Sequence, residues 1–189
     1  MTRKFSTLTL PGKLALAVVS ASSYWLLSLL MKHSDTFDEL LSQANAGFHL
    51  VGIIFGALVM APYVAASGRR AVRVVLMCVA SAVIYYLAVR FVVDGPLGHV
   101  TITSYILSGS GAALLAGLAV VALAPKPFSW KLIPLTLAAG AAGGAAFELE
   151  LAFDANVMVG HAAWQLLVCL ALHYGLLPPR FLPGPGLEG

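Results

Sequence analysis

Six stretches of mainly apolar residues, each about 20 long and so able to cross a hydrocarbon core, fill the chain between Leu14 and Leu177. Short polar, glycine or proline breaks separate them. They run from Leu14 to Met31, Ala46 to Ala66, Ala71 to Val93, Ile102 to Ala124, Trp130 to Leu151 and Val157 to Leu177. Spanning segments must satisfy every backbone polar group internally, and apolar runs of this length do so as helices. The expected fold is therefore all-α, a polytopic membrane protein of six transmembrane helices. The expected organisation is a leader at 1–13, a six-helix domain at 14–177 and a disordered, Pro/Gly-rich tail at 178–189.

Composition agrees with this. Apolar residues make up 60% of the 189 and charged residues 10%, against about a quarter charged in an average soluble domain. Mean hydropathy is +0.91. The net charge of +3 does not point to nucleic acid, because most basic residues fall in or beside the breaks and form no basic helix face. Cys78 and Cys169 each lie mid-span in no metal-type spacing, and read as small buried hydrophobes.

The first run follows Arg3, Lys4 and Lys13 but is long for a signal peptide and lacks a small-x-small cleavage site, so a retained helix is expected. Gly52-x-x-x-Gly56 in the second span, and Gly140, Gly143 and Gly144 in the fifth, allow helices to approach backbone to backbone. Arg90 and Asp94 are an i,i+4 pair at the end of the third.

Charge orients the bundle. With six spans, Arg3, Lys4, Lys13, Arg69, Arg70, Arg73, Lys126, Lys131 and Arg180 share one side. Asp35, Asp38, Glu39, Asp94, Glu148, Glu150 and Asp154 lie on or toward the other. The positive-inside rule puts both termini in the cytoplasm, with the bacterial inner membrane as the expected location.

Ionisable groups inside spans are costly and so draw attention to function. His49 opens the second span, His99 precedes the fourth, Glu148 and Glu150 close the fifth, and His161 and Gln165 open the sixth. His161 should lie about 6 Å inside the interface, with Gln165 one turn deeper on the same face. Two imidazoles and a carboxylate at one depth are donors that suit a zinc ion with an activated water. Trp164 reads as an interfacial or packing aromatic, and His173 and Tyr174 as interface anchors.

Two resemblances sharpen these expectations. Gly160-His161-Ala162-Ala163-Trp164-Gln165, followed by an apolar run and Leu177-Pro178-Pro179-Arg180, resembles the final helix of the alkaline ceramidase and progestin/adiponectin receptor superfamily of membrane hydrolases. That resemblance implies zinc, with His161 and His49 as ligands and Gln165 at the position of the family's second histidine. Ser108-Gly109-Ser110-Gly111, with His161 on the last span, resembles rhomboid intramembrane proteases. It implies Ser110 as nucleophile and His161 as base; the plainer reading of Ser108 to Gly111 is a small-residue packing motif.

The leading expectation is a membrane-embedded hydrolase with a polar site toward the outer leaflet, His161, Glu150 and Ser110 its catalytic candidates. A small transporter or channel component is the alternative, as is an accessory subunit. Membrane lipids are the expected surroundings, and the glycine-rich faces suit a second copy or a partner subunit.

Overall fold

The computed structural model describes residues 8–34, 39, 46–64, 70–95, 101–124, 129–152 and 158–176. The tail at 178–189, with Asp35, Arg69, His99, Lys126 and Asp154, lies outside the described residues. Among the described residues the fold is all-α. Helix α1 spans Leu10–His33, α3 Arg70–Asp94, α4 Ile102–Leu123, α5 Leu132–Ala152 and α6 Met158–Gly175. Helix α2 is one rod made of Ala46–Phe55, a π-helical Gly56–Met60 and Ala61–Val64.

Local chemistry sets several of these bounds. Pro11 lies in the first turn of α1, where its missing N–H would be unpaired in any residue and its fixed φ suits the helix. The helix therefore begins at Leu10 rather than at Leu14, and takes Lys13 out of the expected leader. Thr101 caps α4, its hydroxyl accepting from the Ser104 N–H at 3.2 Å. The wide turn in α2 lies just before Pro62, whose ring in a regular helix would press on the carbonyl of residue 58. There the Ala61 N–H bonds to the Gly56 carbonyl, one residue further back than in an α-helix.

Four helices carry segments long and apolar enough to cross a membrane: Leu10–Leu27, Gly47–Val64, Arg70–Asp94 and Ile102–Leu123. Leu132–Glu148 is a shorter apolar helix. Six equal spans had been expected. Helix α6 is less apolar because His161, Gln165 and His173 lie within it, and the side chains of α5 are described only to Glu148.

The helices close into a ring. Each packs on its neighbour in the chain from α3 through α6; α6 then packs on α1, α1 on α2 and α2 on α3. Outward faces are apolar: Val72, Val75, Leu76, Val79, Val83 and Leu87 of α3 are all exposed. The exposed Arg90–Asp94 pair is formed, at 2.6 Å.

Packing is closest between α4 and α5. A Cβ at Gly109 would lie 2.4 Å from the Gly140 carbonyl oxygen, and one at Gly140 2.3 Å from that of Gly109. A turn further on, a Cβ at Gly144 would meet the Tyr105 carbonyl oxygen at 2.3 Å. The Gly52-x-x-x-Gly56 motif does the same for α2 on α3, with Ala82 Cα 2.7 Å from a Cβ at Gly52. One end of the ring is filled by Met60, Tyr63, Val64, Val120, Leu132, Val168 and Leu172, all buried. At mid-height Phe55 packs against Trp164, with ring centroids 5.2 Å apart.

Candidate functional site

Above Phe55 and Trp164 the ring is not filled. A cavity of about 380 Å³ lies there, with walls from every helix: Tyr24 of α1, Phe48 of α2, Tyr85, Ala88, Val89 and Val92 of α3, Tyr105 and Ser108 of α4, Phe147 of α5, and His161 and Trp164 of α6. Consecutive helices alternate in direction, so residues late in the odd-numbered helices meet residues early in the even-numbered ones at this end. The wall is largely apolar. Its side-chain polar groups are those of three tyrosines, Ser108, His161 and Trp164.

Two of these groups are committed to the backbone. Ser108 Oγ donates to the Ala88 carbonyl at 2.7 Å, and Trp164 Nε1 to the Gly109 carbonyl at 3.3 Å. Trp164 fits only because residue 143 is glycine, where a Cβ would lie 2.6 Å from the indole. Trp164 is thus a packing aromatic that closes the cavity floor.

His161 is held by an aromatic box. The Tyr24 ring stacks on the imidazole at 3.7 Å and 11°. Phe147 meets it edge-on at 4.6 Å and 84°, and Tyr85 lies at 6.0 Å with its hydroxyl hydrogen-bonded to Nε2. The imidazole is 7% exposed. Phe147 is in turn stacked on Tyr105 at 6.1 Å.

The other candidates go elsewhere. His49 is half-buried and stacks on Tyr86 at 4.9 Å, while its neighbour Phe48 reaches the cavity wall. Ser110 donates to the Leu137 carbonyl at 3.3 Å, across the α4–α5 contact. The Glu150 side chain lies outside the described residues. Gln165 is 0% exposed, and neither atom of its amide has a hydrogen-bond partner among the described residues. Ser20 Oγ, on a residue also 0% exposed, shares that condition. A buried polar group left unmatched costs about 1–3 kcal/mol.

No group of three or more His, Cys, Asp or Glu that could hold a metal ion occurs among the described residues. The aromatic box around His161 likewise supplies rings and a phenol, not the donors zinc takes.

A second polar cluster, one the sequence does not announce, lies at the opposite end. Lys13 is only 8% exposed; its Nζ lies 4.3 Å from the centroid of the Tyr63 ring and 3.5 Å from Nδ1 of His173. The Tyr63 hydroxyl donates to the Cys169 carbonyl at 3.2 Å. His173 had been expected to anchor an interface, yet it is half-buried against Lys13. The missed signal was Pro11, which starts the helix early and so carries Lys13 inward.

No protein family, no curated protein and no solved structure matches the chain.

Proposed function

We propose that the chain is a six-pass integral membrane protein of a bacterial inner membrane, with both termini cytoplasmic, that admits one lipid-like amphiphile to the central cavity and hydrolyses it at His161. The supporting observation is the position of His161: a buried imidazole bonded to a phenol, in the wall of an apolar cavity built by all six helices. Binding sites of this size are usually apolar, with a few placed polar groups that fix orientation. The apolar wall suits a hydrocarbon chain. The tyrosines and His161 suit the group that joins the chain to its head.

In this reading the Tyr85 hydroxyl donates to Nε2 of neutral His161, and its oxygen accepts from water. As that water's oxygen bonds to an ester carbon, its proton passes to the Tyr85 oxygen and the phenol proton passes to Nε2. The imidazolium then returns a proton to the departing alkoxide. This is general base followed by general acid catalysis by one histidine. The distribution of Lys and Arg supports, by the positive-inside rule, a cavity end at the outer leaflet.

Ala88→Phe narrows the cavity without touching His161. Native mass spectrometry of protein released from nanodiscs is expected to retain one single-chain amphiphile, the ester or its fatty-acid product, per wild-type chain and none on Ala88→Phe. Free fatty acid should accumulate with the wild type and not with His161→Ala. Equal retention by wild type and Ala88→Phe would remove the binding reading. Retention without turnover would remove the hydrolase reading and keep the binding one.

A further inference from the structure

Four residues of α6 follow one another at intervals of four, His161, Gln165, Cys169 and His173, in a stripe that drifts by about 40° at each step. Helix α1 packs antiparallel against this stripe, and two contacts fix the register. Tyr24 stacks on His161 near one end, and Lys13 meets His173 at the other. Eleven residues of α1 thus run beside twelve of α6, which brings Ser20, one turn from Tyr24, level with Gln165, one turn from His161. These are the two fully buried polar side chains without a hydrogen-bond partner among the described residues. Their coincidence at one level follows from that register.

An amide offers two N–H donors and an acceptor oxygen, and a hydroxyl adds one donor and further acceptor capacity. A direct Ser20–Gln165 bond would match one donor with one acceptor and leave the rest. Buried water, which makes about three hydrogen bonds to such groups, matches the remainder. We propose that the Ser20–Gln165 level binds internal water and that the α1–α6 seam is a proton path from the His161 cavity to the Lys13–Tyr63–His173 cluster at the opposite end.

The groups along the seam can each take and give a proton. His161 faces Tyr24 of α1, Tyr85 of α3 and Phe147 of α5, with Glu148 at the same end of α5. Below Gln165 come Cys169 and the Tyr63 hydroxyl, then His173 with Lys13 and Tyr174 beside it. Successive groups on α6 are about 6 Å apart along the axis, a separation one water bridges. At each hop one O–H or N–H bond forms as the next breaks. One proton leaves one end for each that enters the other, and no co-reactant is needed. The path goes beyond the hydrolase reading and does not depend on it.

The test uses the full chain in liposomes holding a pH-sensitive dye, with a potassium diffusion potential as driving force. Wild-type protein is expected to carry protons at least tenfold faster than protein-free vesicles. Gln165→Leu and Ser20→Ala should each reduce the excess tenfold or more. Arg90→Ala, at the exposed ion pair away from the seam, should not change it. Ser20→Ala removes a single oxygen and keeps the test open if Gln165→Leu fails to fold. A wild-type rate equal to that of empty vesicles overturns the proposal. So does an unchanged rate in Ser20→Ala that elutes as the wild type does. Loss of proton flux with amphiphile retention intact would separate this path from the cavity's own function.

Discussion

Gly140→Val is expected to abolish the folded protein, giving aggregated material by size exclusion in detergent where the wild type is monodisperse. The reason is geometric. The first atom of any side chain at residue 140 would lie 2.3 Å from the Gly109 carbonyl oxygen and 2.6 Å from Ser110 Cα. Both are backbone atoms, so no rotamer change relieves the clash. Helices α4 and α5 must separate, and with them the contact that sets Tyr105 and Phe147 in the cavity wall. Overpacking commonly costs 1–3 kcal/mol even when side chains can move; against backbone the cost should exceed about 3 kcal/mol. Gly111 is the internal control, since a Cβ there would have nothing within 4 Å. Gly111→Ala should fold as the wild type does and gain up to about 1 kcal/mol from helix propensity. Similar thermal stabilities for the two variants would contradict the close α4–α5 contact.

His161→Ala is expected to leave the fold intact and remove function. Measured by titration of a non-hydrolysable single-chain amphiphile into nanodisc-embedded protein, affinity should fall tenfold or more, about 1.4 kcal/mol. Turnover should vanish. Tyr85→Phe keeps the ring and deletes only the hydroxyl that bonds Nε2, so it should lower turnover more than affinity. His49→Ala and Ser110→Ala should change neither, because His49 stacks on Tyr86 and Ser110 bonds the α5 backbone. Loss of turnover in Ser110→Ala would favour the Ser–His reading. Loss in His49→Ala would favour the two-histidine reading.

The helices were legible because a long apolar run between glycine and proline breaks admits few other structures. The glycine motifs were legible for a similar reason, small residues one turn apart being a one-helix pattern. His161 stood out as an ionisable group in an apolar run. Its surroundings did not stand out, because they are contributed by other helices. Tyr85 lies 76 residues away in the chain and Lys13 lies 160 from His173. Which faces meet depends on the rotation of each helix in the ring, and no single span records that. Tyrosines in apolar helices read as interface anchors, so Tyr24 and Tyr85 were overlooked. The partner of Ser110 was not legible on the same ground, since its hydroxyl donates to the Leu137 carbonyl of α5.

The central claim is that an amphiphile's hydrocarbon chain occupies the cavity beside His161 and Trp164. Of the three tryptophans, Trp25 and Trp130 are exposed and Trp164 lines the cavity. In a Trp25→Phe, Trp130→Phe protein, Trp164 is the sole indole emitter. A single-chain amphiphile brominated along its chain should quench that emission saturably at one equivalent, in nanodiscs of unbrominated lipid. Ala88→Phe should abolish the saturable component. Quenching that rises linearly with added amphiphile and is the same in Ala88→Phe would mean that Trp164 senses only bulk lipid, and would contradict the account.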